Sequence, residues 1–191
     1  MRVITVNSTD FQALCQKLAE RIFSDGYRPD CIIGIRNGGA HVAREVAKSF
    51  SDAVCTEVTV SRPTHKQKNN KWVKSIFRIL PVWLLNAMRM TESSLAQFRK
   101  RARRDAEINI PCTLSAKHIL VVDDAIDTGA TMLLVINTLR ERLPECEIRS
   151  AVVTITTPSP SVTSNYYIFN NRTLIRFPWA IDSKILHRQL L

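Results

Sequence analysis

Short apolar runs alternate along the chain with segments whose apolar residues recur at helical spacing. The runs predict five strands at 31–35, 54–60, 118–122, 148–155 and 166–169. The amphipathic segments predict three helices at 8–25, 40–50 and 130–143. Buried strands that alternate with helices are typical of an α/β fold, in which helices flank both faces of a central, mainly parallel sheet.

The first helix has the clearest local signals. Thr9 and Gln12 make a plausible capping box at its start, and Gly26 is placed to end it. Five residues share one face of the helix and are its predicted buried side: Phe11, Leu14, Leu18, Ile22 and Phe23.

Charge is distributed very unevenly in this chain of 191 residues with a net charge of +10. Residues 61–104 carry twelve Lys and Arg against a single acid, Glu92, whereas the rest carries fifteen against sixteen. We therefore expect one domain, 1–191, that carries a long basic insertion at about 61–115.

Composition excludes several classes of protein. The longest apolar run, 79–85, is too short for a membrane span, and we expect a cytoplasmic protein. The odd number of cysteines and the lack of a Cys-x-x-Cys pair argue against a disulfide framework or a zinc site. All five are predicted to be buried free thiols: Cys15, Cys31, Cys55, Cys112 and Cys146.

The loop after the strand at 118–122 has the chemistry of a ribose 5-phosphate site. Asp123 and Asp124 offer carboxylates that accept hydrogen bonds from a sugar diol, directly or through Mg²⁺. Residues 128–131 open a helix whose free N–H groups and two hydroxyls suit a phosphate. The alternative is an ordinary helix start that happens to be rich in Asp and Thr.

The run 119–132 resembles the PRPP-binding motif of type I phosphoribosyltransferases: an apolar strand, two acids, two apolar residues, then Asp-Thr-Gly-x-Thr. The resemblance implies Mg²⁺-dependent transfer of a phosphoribosyl group from PRPP with release of pyrophosphate. It assigns the ribose hydroxyls and the metal to Asp123 and Asp124, and it makes Asp127 the candidate general base. The predicted cradle for the 5-phosphate consists of Thr128, Gly129, Ala130 and Thr131.

The turn 34–39 resembles the pyrophosphate loop of the same family. Its binding residues would be Arg36, Asn37, Gly38 and Gly39, since glycines let backbone N–H groups approach the leaving group closely. By analogy we expect a strained peptide between Asn37 and Gly38, with a cis bond as one form of that strain. The family usually has a basic residue where Asn37 stands, and dimers are common in it, so a homodimer is expected.

The segment 154–169 and the tail Phe177-Pro178-Trp179 resemble the acceptor end of purine phosphoribosyltransferases of the hypoxanthine/xanthine kind. The resemblance implies that Trp179 stacks on the acceptor, although a purely structural tryptophan is the alternative. Thr157 stands where those enzymes usually have a lysine that reads the 6-oxo group of the base. The acceptor half of the site therefore departs from the pattern, whereas the donor half is intact.

The basic insertion leaves three interpretations open. It is a helical hood or flap packed on its own domain, a peripheral membrane element through residues 71–104 at the inner membrane face, or, less favoured, a nucleic-acid-binding patch. With the lysine missing, the slightly preferred acceptor is a hydroxyl of a membrane-associated, lipid-linked glycan intermediate. Purine salvage and a PRPP-sensing, nucleic-acid-binding regulator are the alternatives.

Overall fold

The computed structural model describes residues 2–61, 107–109, 116–170 and 172–180. Most of the basic insertion lies outside these ranges, and so do Cys112 and the segment 71–104. The hood, membrane and nucleic-acid interpretations of the insertion are therefore outside the described residues.

In the part of the chain that the structure describes, a six-stranded sheet forms the centre of the fold, in the order β4-β3-β2-β5-β6-β7. Its strands are β2 (Cys31–Ile35), β3 (Val54–Ser61), β4 (Glu107–Asn109), β5 (His118–Ile126), β6 (Glu147–Ile155) and β7 (Tyr166–Phe169), and only β4 runs antiparallel to its neighbour. The helices of the described residues are α1 (Ser8–Ser24), α2 (Gly38–Ala47) and α3 (Ala130–Arg142). The predicted α/β architecture with a mainly parallel sheet is confirmed.

Helices cover both faces of the sheet, which explains why its strands are apolar throughout. Along β5, Leu120 and Val122 pack in a cluster with residues of α1 and α2, whereas Ile119 and Val121 pack in a second cluster with residues of α3. All four of these side chains are fully buried. Each contributes roughly 1.5–3 kcal/mol of burial free energy, so the strand that carries the acidic loop is firmly held.

Helix α1 is capped differently from the prediction. Its N-cap is Asn7, whose side chain accepts a hydrogen bond from the backbone N–H of Asp10 at 2.8 Å, and the Asp10 carboxylate accepts one from the Asn7 N–H at 3.4 Å. The predicted box of Thr9 and Gln12 is thus wrong, because Asn with Asp satisfies the same kind of donors two residues earlier. Phe23 is 57% exposed under the Arg28 guanidinium instead of being buried.

Two strands that the apolar pattern did not predict form a second, small sheet. β1 (Arg2–Thr5) pairs in parallel with β8 (Thr173–Arg176), at the two ends of the described chain. The Thr154 hydroxyl donates to the carbonyl of Thr173 at 2.7 Å and fastens this sheet to β6. The small sheet therefore stands beside the carboxyl end of β6, where the candidate site lies.

The cysteines among the described residues differ in burial. Cys15 and Cys31 are buried free thiols as predicted, but Cys55 is exposed because β3 starts at the surface, so the prediction is wrong for that residue; Cys146 is half-buried. In the described ranges, no helix is both long and apolar enough to cross a membrane.

Candidate active site

Two loops meet at the carboxyl ends of adjacent strands. β2 and β5 are parallel neighbours, with Gly34 in register with Val122, so the turn 36–37 and the loop 127–129 leave the same edge of the sheet. The Arg36 N–H donates to the carbonyl of Val58 at 2.8 Å and holds the first turn against β3. This edge is where parallel α/β sheets bind ligands.

Gly38 and Gly39 of the first loop must be glycines because they pack directly against Asp124 and Asp123 of the second loop. A Cβ atom built on Gly38 would lie 1.9 Å from Oδ2 of Asp124, and one built on Gly39 would lie 2.6 Å from the carbonyl oxygen of Val122 and 2.8 Å from Cα of Asp123. No side chain fits at either position without displacing the acidic pair. The predicted pyrophosphate loop and the predicted ribose-binding acids are therefore in direct contact.

Backbone strain at this junction lies in Asn37. The residue has φ 86° and ψ −110°, a conformation that L-residues rarely adopt and that costs of order 1–3 kcal/mol. The described residues contain no cis peptide bond, so the expected cis form of the Asn37–Gly38 bond is not found. This backbone conformation of Asn37 produces a sharp turn, after which α2 begins at Gly38, next to Asp123 and Asp124.

Asp123 and Asp124 form a repelling pair of partly buried carboxyls. The Asp124 N–H donates to Oδ1 of Asp123 at 2.9 Å. Burial, and then the negative charge of Asp124, raise the pKa of Asp123 well above its usual range. Burial also raises the pKa of Asp124, although hydrogen bonds and the nearby His41 oppose that shift. Such a pair favours a ligand that brings positive charge or hydroxyl donors.

The predicted phosphate cradle is the start of α3. Gly129 has φ 76°, and a Cβ there would lie 2.9 Å from both N and O of Val162, so glycine is needed for conformation and for space. The Ser161 N–H donates to the carbonyl of Thr128 at 2.8 Å. The segment after β6 thus braces the loop, a contact that no sequence signal indicated.

A cavity of about 580 Å³ connects the two loops. It is lined by Ile35, Arg36, Asn37, Thr59, Val60 and Thr131. Arg36 and Asn37 come from the first loop and Thr131 from the phosphate cradle, so one space joins the residues predicted to hold the pyrophosphate and the 5-phosphate. Thr59 and Val60, on β3, were not predicted as lining residues, because nothing in an apolar strand marks the point where it reaches a cavity.

Comparison with known proteins agrees with this geometry. The sequence profile of the phosphoribosyl transferase domain matches residues 7–184, which is nearly the whole chain. The chain belongs to this family. It is therefore a phosphoribosyltransferase, and PRPP is its phosphoribosyl donor. A search of curated proteins gives no significant match.

Solved structures with the same fold include several purine enzymes. A purine phosphoribosyltransferase from Pyrococcus horikoshii is 24% identical with a TM-score of 0.64, over 94% of this chain and 95% of that one. The xanthine-guanine-hypoxanthine phosphoribosyltransferase of Helicobacter pylori is 15% identical with a TM-score of 0.68, over 98% and 99%. A hypothetical protein from Neisseria gonorrhoeae with bound ppGpp is 19% identical with a TM-score of 0.62, over 98% and 94%. At these identities the similarity establishes the fold.

The candidate base of the phosphoribosyltransferase, Asp127, is exposed at the end of β5 and has a hydroxyl partner. The Thr156 hydroxyl lies 3.3 Å from both Oδ1 of Asp127 and the carbonyl oxygen of Ile126, and its single proton can be donated to either. The Thr156 N–H donates to the same carbonyl at 2.9 Å. Sequence reasoning missed Thr156, although its place after β6, beside Thr157, was a usable signal. Thr157 itself is half-buried at the same strand end.

Trp179 lies in a cluster of aromatic rings. Its indole stacks on Phe177 with centroids 4.7 Å apart and planes 4° apart, and on His41 at 4.6 Å and 22°. Phe11 meets it edge-on at 4.9 Å. The predicted acceptor-stacking residue of this phosphoribosyltransferase is thus engaged by three other side chains and packs against α1 and α2.

Proposed function

We propose that the chain transfers the 5-phosphoribosyl group of PRPP to a purine base in a Mg²⁺-dependent reaction that releases pyrophosphate. The observation that carries the donor half is the contact of Gly38 and Gly39 with Asp124 and Asp123. That contact packs the predicted pyrophosphate loop against the predicted ribose-binding acids. The purine acceptor is supported by the fold shared with purine phosphoribosyltransferases over more than nine-tenths of the chain.

The donor is bound by groups that match its parts. Asp123 and Asp124 accept hydrogen bonds from the ribose diol. The N–H groups at the start of α3, with the hydroxyls of Thr128 and Thr131, surround the 5-phosphate. Arg36 and the backbone N–H groups of 37–39 face the pyrophosphate, whose negative charge a guanidinium binds well.

The acidic pair also fits a magnesium ion. Burial raises the pKa of both carboxyls, and the charge of Asp124 raises the pKa of Asp123 further, so a nearby cation would stabilise the ionised forms of the pair. The described residues contain no group of three or more His, Cys, Asp or Glu side chains suited to a metal. Asp123 and Asp124 would therefore share Mg²⁺ with oxygens of PRPP and water, as this ion prefers, and the ion would neutralise the departing pyrophosphate.

At the anomeric carbon the bond to the pyrophosphate oxygen breaks as the bond to the acceptor nitrogen forms. Asp127 is exposed at the end of β5, where its carboxylate can take the proton that the nitrogen loses. Its negative charge also favours the cationic ribosyl transition state. The Thr156 hydroxyl, 3.3 Å away, orients that carboxylate.

The acceptor side differs from a typical oxopurine site at Thr157. A lysine there would donate a charge-assisted hydrogen bond to the 6-oxo group, worth on the order of 1.5–3 kcal/mol. A threonine hydroxyl can donate or accept, so it suits a purine with either a 6-oxo or a 6-amino group. The glycan hydroxyl acceptor gains no support, and the homodimer, the single-domain boundary and the membrane contact stay predictions.

The test is product identification by mass spectrometry after incubation with Mg-PRPP and single acceptors. The panel holds adenine, hypoxanthine, guanine, xanthine, uracil and a polyprenyl-linked sugar. We expect a purine nucleotide, and we expect Thr157→Lys to raise kcat/KM for the 6-oxopurines about tenfold. A product from the lipid-linked sugar, or none from any purine, would refute the purine assignment while leaving PRPP binding intact.

A further inference from the structure

Trp179 was expected to stack on an acceptor, but its indole is already in contact with three other aromatic side chains. His41 and Phe177 stack on the indole at 4.6 and 4.7 Å, and Phe11 packs against its edge at 4.9 Å. An acceptor ring would have to displace one of these side chains to reach it. The contacts therefore favour a role in holding elements together over a role in binding.

The aromatic cluster around Trp179 joins the segment after β8 to α1 and to the first turn of α2. Phe177 and Trp179 directly follow β8, Phe11 belongs to α1, and His41 lies in the first turn of α2. Gly38 and Gly39 precede His41 in that same turn and touch Asp124 and Asp123. One turn of helix thus contacts the acidic pair at one end and the indole at the other.

The first turn of α2 needs tertiary contacts to fix its position. Asn37 enters it with a strained backbone, and its side chain makes no capping hydrogen bond. A strained junction persists only when surrounding contacts hold it in place. The stack of His41 on Trp179 is a contact of this kind, and it is close to the loop.

We propose that His41 is a positioning residue for the PRPP site. By stacking on Trp179 it holds the first turn of α2, and with it residues 37–39, against Asp123 and Asp124. Trp179 is then the fixed support of the donor half and makes no contact with the acceptor. The proposal rests on the donor half of the proposed function and is independent of the acceptor.

The ring and the charge of His41 can be separated by substitution. His41 is the nearby residue whose charge lowers the pKa of Asp124, so a deletion changes both stacking and electrostatics. Phenylalanine keeps an aromatic ring and removes the charge. His118 provides a matched control, because it is an exposed histidine in ring contact with Tyr27 at 5.9 Å, at the opposite end of β5 from the acids.

The experiment is calorimetric titration of the full-length chain with Mg-PRPP, alongside thermal melting. We expect the Kd to rise about two- to tenfold for His41→Ala, the range of an aromatic pair, and to stay near the wild-type value for His41→Phe and His118→Ala. Trp179→Leu should raise the Kd at least as much as His41→Ala, because it also removes the contacts with Phe11 and Phe177. Adding His41→Ala to Trp179→Leu should raise the Kd no further, since the stack of His41 on Trp179 is already lost.

Several results would overturn the proposal. An unchanged Kd for His41→Ala, even with a lower melting temperature, would leave the stack purely structural. A Kd for His41→Phe as high as that of His41→Ala would assign the effect to charge. Wild-type protein that binds no Mg-PRPP would instead refute the donor half of the proposed function itself.

Discussion

Gly38→Ala should strongly weaken PRPP binding with little loss of stability. The new Cβ would lie 1.9 Å from Oδ2, 2.2 Å from Cγ and 2.8 Å from Oδ1 of Asp124. Ordinary contact begins near 3.4 Å. The carboxylate or the loop must therefore move by about 1.5 Å, which is the shortfall between those two distances.

Whether Gly38→Ala affects stability or PRPP binding depends on which group is displaced. A carboxylate is the end of a side chain and can rotate away, so folding loses little. The ribose diol, however, needs that carboxylate in place, and a misplacement of about 1 Å in an active site costs about 100-fold in rate. We expect kcat/KM for PRPP to fall about 100-fold or more.

Calorimetric titration with Mg-PRPP and thermal melting distinguish these effects. Gly26→Ala is the matched control, because Gly26 has φ 77° and nothing within 4 Å of an added Cβ. That variant should lose about 1 kcal/mol of stability through backbone strain and keep its PRPP affinity. Wild-type affinity in Gly38→Ala would refute the placement of Asp124 in the ribose site.

Three further predictions concern the same loops. Gly39→Ala should destabilise the fold by about 1–3 kcal/mol in urea titrations, because the added Cβ meets backbone atoms of Val122 and Asp123 that cannot rotate away. Because the pKa values of Asp123 and Asp124 are raised, PRPP affinity should fall on acidification at a pH higher than about 4, where an ordinary carboxyl titrates. The unfolding free energy of the ligand-free protein should fall as pH rises through the same window, since the native state binds protons more tightly than the unfolded state. An unfolding free energy that rises with pH in this window would contradict the raised pKa values. Thr156→Val should lower kcat about fivefold with KM for PRPP unchanged, from the loss of one hydrogen bond of about 1 kcal/mol to Asp127, and an unchanged kcat would exclude that role.

The meeting of the two loops predicted to bind PRPP could be foreseen because the signals for each loop are local. The acids, the threonines and the glycine of 123–131 are contiguous, and the glycines of the other loop follow a buried strand directly. Strand ends of a parallel sheet meet at one edge, so the order of strands and loops along the chain is enough to place the two loops together. Their register, Gly34 with Val122, confirms that reasoning.

The features that the sequence did not reveal depend on distant contacts. β1 and β8 are four residues each and pair across nearly the whole chain, so neither has a pattern strong enough to be seen alone. The engagement of Trp179 required knowing that α1 and α2 present Phe11 and His41 to it. The brace of Gly129 by Val162 is another contact between segments that no periodicity links.

The most direct test of the proposed reaction is acceptor-dependent release of pyrophosphate from Mg-PRPP by the wild-type chain and by Asp127→Asn. We predict release only when a purine is present, and in the variant a loss of release with retained PRPP affinity, because Asp127 lies outside the donor contacts. Wild-type protein that binds PRPP but releases no pyrophosphate with any purine, or an Asp127→Asn variant with wild-type turnover, would contradict it.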